Sequence, residues 1–485
     1  MYRYRPTGSL FEFKELENLE LYFASPQELN DPIEGMMEVI WQGDEIVWRN
    51  FLRHYLLCLE KMCAMALLFT DDKKEVKEYI AIDIPVRGTE DSLPTEAYKD
   101  IFTKIKQKFF ALEVVEQTLD IFCYSQRSVR KSELSLALDM LNKPALKCIF
   151  EVYFKHNLYP DSGIVDMLNI DRTSNEYFTS YKNMINNDVF ADQSELLFDI
   201  SRKARQQVKL MTLLNVGEDK IYNKLGFLLY DFTDKYMSSL LELAYPKWYT
   251  TCFSESGTNA AMWASYADSH KGICLKFKTK TKENKLYLPL YKRTGIRGGK
   301  PIYDWTDWAL EEVAYTNDYM LLDFFKSMLT LSTYDLYKNW YTDKENGSVS
   351  SCAEVFKLIE DESTGYRLKY WDIFRAITSS KSLDWKDEKE YRLVINNSFY
   401  DYSDAHSRVL KYRFEDLEGV IFGVRTSFED KLRIIRTIYD LCQKHNRYNF
   451  DFFQAGYKGN SKEITIEKLG LLKFKGEATE SLVGV

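Results

Sequence analysis

Apolar residues follow two rhythms along this chain. Near both ends and in the middle they alternate with polar residues. Between those stretches they recur every three or four positions. Tyr2-Arg-Tyr-Arg5 alternates aromatic and basic side chains, as a half-buried strand does, and 19–24 is a second apolar, aromatic run that Ser25-Pro26 ends. From about 43 to 248 the spacing becomes helical, in segments such as 46–68, 96–121, 177–186 and 194–214, with Val208, Met211, Thr212 and Leu214 marking one imperfect stripe. Strand texture returns at 248–253 and 273–277. A charged stretch at 278–285 reads as a flexible loop, and a loop with Gly295, Gly298 and Gly299 precedes a second helical block at about 305–377. Strands are expected again at 391–395 and 420–422, a helix near 428–445, and a strand pair at 450–455 and 463–468. There is no convincing internal repeat. The pattern predicts an α+β fold: a mixed or antiparallel sheet core assembled from distant chain segments, with large helical insertions. The core would comprise 1–41, 247–299 and 379–485, and the insertions 42–246 and 300–378.

Composition narrows the class. At 485 residues the chain is long enough for roughly three domains or one elaborated domain. Hydrophobic residues at 45% and charged residues at 28% are ordinary globular values, and 15% aromatics favour a densely packed core. Lys and Arg total 65 against 73 Asp and Glu, for a net charge of -8. That argues against a whole-surface nucleic-acid or anionic-membrane binder, but leaves room for a local basic groove. No apolar run approaches the ~18 residues a membrane span needs, and the N-terminus lacks the apolar stretch of a secretory signal. The eight cysteines include no Cys-x-x-Cys pair, the nearest two being Cys58 and Cys63, and there are five histidines. Reduced thiols in a cytoplasmic protein are expected, without a disulfide framework or a His-rich metal centre.

Several constellations carry candidate chemistry. Glu388-Lys-Glu-Tyr-Arg392 is the sharpest: read as a strand, it puts Glu388, Glu390 and Arg392 on one face and Tyr391, Leu393 and Ile395 on the other. The two carboxylates then either line a site or decorate a solvated strand face. Asn30-Asp-Pro-Ile-Glu34 predicts a helix start, with Asp31 as N-cap, Pro32 first in the helix and Glu34 closing a capping box. Its other reading makes Asp31 and Glu34 site acids or metal ligands. A short helix is predicted from Asn259 to His270, capped by Asn259 and ended by Gly272, with Trp263 and Tyr266 either in the core or stacking on a ligand ring. Trp385 reads as an anchor, and Lys381 as a phosphate contact or a solvated cation. No phosphate-loop, His-Glu-x-x-His or nucleophile-elbow motif occurs.

Tyr2-Arg-Tyr-Arg5, Ala24-Ser-Pro-Gln-Glu-Leu-Asn-Asp-Pro-Ile-Glu34, Cys252-Phe-Ser-Glu255, Met262-Trp-Ala-Ser-Tyr-Ala267, Lys271-Gly-Ile-Cys-Leu-Lys-Phe277, Lys381-x-x-x-Trp385-x-x-Glu388-x-Glu390-Tyr-Arg-Leu-Val394, Val420-Ile-Phe-Gly423 and Phe452-Phe-Gln-Ala455 stand in this order. The set resembles the bacterial domain family of unknown function numbered 2971, over both ends and the middle of the chain but not most of 42–246 or 300–378. That family name carries no activity. The Glu-x-Glu pair is also similar to the acidic motif of one branch of ADP-ribosyltransferases. In that branch an arginine on the first strand holds the phosphates of NAD, a serine-bearing strand follows, and the Glu-x-Glu strand comes late. The resemblance implies NAD as co-substrate. Arg3 or Arg5 would hold the pyrophosphate, and Ser254 would brace the site, with Ser25 competing for that role. Glu390 would stabilise the ribosyl cation and Glu388 would orient or deprotonate the acceptor. Trp263, Tyr266, Lys381 and Arg392 complete the cofactor-binding candidates. The Ser-Glu-Ser at 254–256 departs from the Ser-Thr-Ser usual there. The acceptor would be a protein or nucleic acid, the helical insertions would bind a partner or trigger, and a toxin or antiphage defence role would suit such a design. Two alternatives stand beside it. One is a nuclease whose Asp31, Glu34, Glu388 and Glu390 bind Mg²⁺. The other is a non-catalytic sensor or interaction module.

Overall fold

The strand at the N-terminus has no neighbour in sequence to pair with; its partners come from beyond residue 247. The computed structural model describes residues 1–67, 83–124, 127–159, 165, 168, 191–216, 226–361, 365–459, 461 and 463–474. The α+β class expected from the pattern is what it shows, and the predicted segment 177–186 lies outside the described residues. The chain forms two units: Met1–Met36 with Lys247–Tyr319 and Asp372–Val485, and Met37–Pro246 with Met320–Trp371.

The first unit holds a curled sheet of twelve strands. From one edge they run Ile464–Lys468, Asp451–Tyr457, Leu417–Phe422, Ile273–Phe277, Tyr2–Arg5, Trp248–Ser254, Glu390–Asn396, Lys300–Glu312, Lys285–Arg297, Val409–Tyr412 and Glu20–Tyr22, with Lys280–Lys282 beside Lys285–Arg297. Neighbours are antiparallel except Leu417–Phe422 and Asp451–Tyr457. A parallel pair needs a long crossover, and the helix Phe428–His445 supplies it. Ile434, Ile438 and Leu441 of that helix pack into the main core with Phe253, Leu275, Leu393 and Val420 from one face of the sheet. The other face is covered too: Tyr4, Cys274 and Ile421 meet Met262 and Trp263 there. A one-side-wet sheet was the basis for expecting a solvated acidic face, and this second layer removes that basis.

Two expectations about loops are corrected. Residues 278–285 form a hairpin, Lys280–Lys282 with Lys285 onward, closed by Glu283 and Asn284, both at positive φ. Residues 300–312, placed by the sequence in a helical insertion, are a thirteen-residue strand paired with Lys285–Arg297. Gly298 and Gly299 are its two-residue turn, both at positive φ, as a type I′ hairpin requires. The predicted helix at 259–270 is shorter: it spans Ala260–Tyr266, with Asn259 capping as expected, and Asp268, Ser269 and His270 turn back through positive φ. Gly272 is not its stop. A Cβ there would collide with the Arg5 carbonyl, so the glycine lets this turn lie flat on the first strand.

The helix Phe428–His445 carries its own end signals. The Ser427 hydroxyl accepts from the Asp430 amide, Glu429 and Asp430 fill the first turn, and Lys444 and His445 the last. Ser427→Ala is expected to cost about 1 kcal/mol, read as a lower denaturant midpoint for exchange of the backbone amides of this helix.

The second unit is mostly helical. Its long helices include Glu45–Leu67, Glu96–Phe110, Lys131–Lys155, Ala191–Val216 and Phe232–Ala244, beside a small sheet of Leu321–Asp323, Glu38–Trp41 and Val129–Arg130. An aromatic group of Trp48, Phe51, Phe122 and Phe325 sits within it. The Val208, Met211 and Leu214 stripe lies on a helix as predicted, but these side chains stand exposed among the described residues. No helix among the described residues is long and apolar enough to cross a membrane.

Candidate active site

Three adjacent antiparallel strands carry the three predicted motifs: Tyr2–Arg5, Trp248–Ser254 and Glu390–Asn396. Ser254 is in register with both Tyr2 and Glu390, and Cys252 with Arg392. Residues opposite each other in an antiparallel pair project to one face, so Tyr2, Ser254 and Glu390 form a row. Strand alternation then sends Arg3 and Arg5 to the other face. Their contacts agree. Arg3 is buried, bonded to the Thr251 hydroxyl and, at 3.4 Å, to the Cys252 carbonyl. Burial, with Arg5 nearby, lowers its pKa to about 10. Arg5 forms a two-pronged pair with Glu15, one bond being 2.9 Å. The expectation that either holds phosphates beside Glu390 is therefore corrected: both sit on the far side of the sheet.

The acidic motif is not one continuous strand face. The strand begins at Glu390; Lys389 is left-handed at φ +46°, and Glu388 ends a 3₁₀ turn spanning Leu383–Glu388. Ser254 pins this junction by donating to the Glu388 carbonyl at 2.8 Å. Nor is the face solvated: Glu388, Glu390 and Arg392 are 6%, 3% and 0% exposed.

These carboxylates converge on two buried cations. The Lys381 ammonium lies 2.7 Å from Glu388 Oε2, 3.3 Å from Glu390 Oε2 and 3.3 Å from Glu34 Oε1, with the Trp385 ring centroid 4.6 Å away. Arg392 spends all three nitrogens: Nε on Glu390 at 2.7 Å, Nη1 on the Thr378 carbonyl at 2.9 Å, and Nη2 on Glu34 and on Glu390 at 3.2 Å. Tyr266 donates to Glu388 Oε1 at 2.9 Å, and the Glu390 amide donates to the Tyr315 hydroxyl at 2.8 Å.

Position decides the ionisation of each group. Burial pushes Glu390 upward, but Arg392 and Lys381 outweigh it and hold its pKa down to about 2. Burial wins at Glu34, where the same two cations offset it only in part and the Glu390 charge adds to the rise. Burial opposes the charged forms of Lys381 and Arg392, yet the surrounding carboxylates raise the pKa of both. The cluster thus holds one carboxylate firmly ionised beside another that takes a proton more readily. Glu390 contributes stability that is present above the ordinary carboxyl value of 4.5 and is lost as pH falls toward about 2. Glu34, being raised, acts in the opposite sense, with stability present below the ordinary range and lost as pH rises through its folded value. Between pH 6 and 3 the urea midpoint of the first unit is expected to fall. Glu390→Gln should remove a part worth on the order of 3 kcal/mol at full protonation.

The other candidates are placed as follows. Ser25 caps the Pro26–Glu28 turn, its amide and hydroxyl both on Glu28 Oε2 at 2.6 and 2.8 Å, so it does not serve as the bracing serine. Trp263 is a core anchor, fully buried, with its indole N–H on the Gly257 carbonyl at 2.8 Å and its ring edge-on to Tyr4; it presents no face to a ligand. Residues 31–34 make a turn and not a helix start. Asp31 Oδ1 accepts from the Ile33 amide at 3.1 Å, while the Glu34 carboxylate leaves the turn for Arg392 and Lys381. The proposed Mg²⁺ set of Asp31, Glu34, Glu388 and Glu390 does not fit. The cation that joins the three glutamates is Lys381, and among the described residues no group of three or more His, Cys, Asp or Glu has the arrangement to hold a metal. Arg392, with every nitrogen used, is a positioning residue for Glu390 and not a phosphate ligand.

Sequence reasoning missed Tyr315 and Cys252. Cys252, in register with Arg392 and close enough to Glu390 to help hold its pKa down, was available two positions before Ser254 on the same strand face. Tyr315 carries no local signal; it arrives through the short pairing of Ala314–Tyr315 with Ser380–Lys381.

Neither a curated protein nor a solved structure matches the chain. The family resemblance read from the ordered motifs is found over part of them: residues 262–393, the stretch that supplies Tyr266, Tyr315, Lys381, Glu388, Glu390 and Arg392, match the family described as Protein of unknown function (DUF2971).

Proposed function

We propose that this chain is an ADP-ribosyltransferase-like enzyme that uses NAD at the face carrying Ser254 and Glu390. The observation that carries the reading is the adjacency of the first, serine-bearing and acidic strands, with Ser254 and Glu390 in register. Glu390, ionised in a water-poor setting, suits the stabilisation of positive charge on a ribose. In the reaction the bond between ribose C1′ and nicotinamide breaks, and nicotinamide leaves with the electron pair as a neutral ring. The oxocarbenium-like centre is held by Glu390. An acceptor or water then bonds to C1′ and gives its proton to Glu388, the residue oriented by Tyr266. In the resting arrangement Lys381 and the Leu383–Glu388 turn cover the carboxylates, and the outer side of that turn is exposed at Leu383, Asp384, Lys386 and Asp387. Substrate entry therefore requires this turn to lift and Lys381 to leave Glu390. The test is nicotinamide release from NAD by the purified chain, in buffer and with bacterial lysate. Release above blank supports the reading; none in either condition counts against it.

A second reading rests on the completeness of the ion network: every charged member is bonded and buried. On that reading the cluster is a structural keystone of a non-catalytic interaction module. A folded chain with no nicotinamide release favours it.

A further inference from the structure

The hairpin of Lys285–Arg297 and Lys300–Glu312 has two different faces. Leu288, Leu290 and Leu310 point into the main core. Alternation puts Tyr291, Arg293, Tyr303 and Trp305 on the other face, where Tyr291 pairs across with Trp305 and Arg293 with Tyr303. There three large rings stand in the open: Tyr303 is 50%, Tyr291 39% and Trp305 36% exposed. They form a ladder. Tyr291 and Tyr303 stack at 5.8 Å and 25°, and Tyr291 meets Trp305 at 5.4 Å.

Cations lie along this ladder. The Arg413 guanidinium sits 4.7 Å over Trp305, and Arg293 sits 4.6 Å over Tyr400 with its Nε buried and without a hydrogen-bond partner. Arg297 and Lys300, which flank the glycine turn at the tip, fall by alternation on the opposite face and are not part of the ladder. Among the described residues neither Arg293 nor Arg413 makes an ion pair, although Asp416 lies near Arg413, whereas the hairpin carboxylates Asp307 and Glu311 are already held by Lys280, Lys282 and Lys285. Asp304 is opposite Lys292 and so points to the other side. Two arginines with no ion pair of their own are thus left on a face of flat, exposed rings, on a protein whose total charge is -8.

We infer that this hairpin face binds single-stranded nucleic acid, with bases stacking on Tyr291, Tyr303 and Trp305 and phosphates meeting Arg293 and Arg413. Unpaired bases offer the π-faces that such a ladder needs, and their backbone supplies the complementary charge. A duplex hides its base faces, and an acidic peptide has no use for the rings.

Fluorescence anisotropy with labelled twelve-nucleotide oligo-dT, oligo-U and a DNA duplex tests this on the full chain. Binding of a single strand over duplex, weakening with salt, is expected. Trp305→Ala and Tyr303→Ala should each weaken it on the order of tenfold. Arg293→Gln with Arg413→Gln should flatten the salt dependence while circular dichroism stays unchanged. The dT and U arms distinguish DNA from RNA. Three results overturn the inference: no binding at low salt, equal binding of duplex, or displacement of the oligonucleotide by poly-glutamate with no effect of the ring variants. Glu390→Gln should bind oligonucleotide normally, so failure here and failure of the NAD reading are separable.

Discussion

Replacing Arg392 by Met is expected to destabilise the first unit by about 3–5 kcal/mol, the range for stripping one partner from a buried ion pair. Arg392 is fully buried, and its nitrogens satisfy Glu390, Glu34 and the Thr378 carbonyl at once. Without it, two carboxylates depend on Lys381 alone and a buried carbonyl loses its donor. Lysine should not rescue, because one ammonium on a flexible stem cannot reproduce the planar fork that reaches all three. The half-exposed pair Lys276–Glu418 is the control: Lys276→Met should cost under about 1 kcal/mol. Hydrogen exchange of the Glu390–Asn396 strand in increasing denaturant reads both. A loss at Arg392 no larger than at Lys276 would mean that the network is not a keystone of this unit.

The second large effect concerns chemistry. Glu390→Gln keeps the shape of the side chain but removes the charge and replaces one accepting oxygen with an amide donor beside Arg392 and Lys381, and nicotinamide release from NAD should fall about 10²–10³-fold, as for loss of one preorganised electrostatic contact. Glu388→Gln should behave differently. Its proposed role is toward the acceptor, so transfer to a macromolecule should fall more than release of nicotinamide to water. Ser254→Ala, which loses the bond to the Glu388 carbonyl and the one from the Ser256 amide, should have a smaller effect than either. Equal losses in both glutamine variants for both products would contradict the division of roles.

Much of the sheet was legible because strands announce themselves locally. Tyr2–Arg5, Trp248–Ser254 and Ile273–Phe277 stand where alternation and β-branched or aromatic content placed them. The Gly298-Gly299 turn was also readable, as two glycines between alternating runs, and overlooking it turned the strand at 300–312 into an expected helix. The face of Arg3 and Arg5 was not legible. Alternation alone says that Tyr2 and Arg3 point apart, but only register shows that Tyr2 shares a row with Ser254 and Glu390. The same limit hid the pairing of Glu34 with Arg392, residues 358 positions apart in the chain. Burial of the acidic motif escaped for a related reason: Glu34 and Tyr266 reach its cluster from distant segments, and no residue near Glu390 reports them.

The most direct test of the central claim is an experimental structure of the chain with a non-hydrolysable NAD analogue. The account predicts the nicotinamide ribose within hydrogen-bond distance of Glu390, with Lys381 withdrawn from Glu390 Oε2 and the Leu383–Glu388 turn displaced. An analogue seated on the Arg3 and Arg5 face, or a cluster that stays closed at saturating analogue, would contradict it.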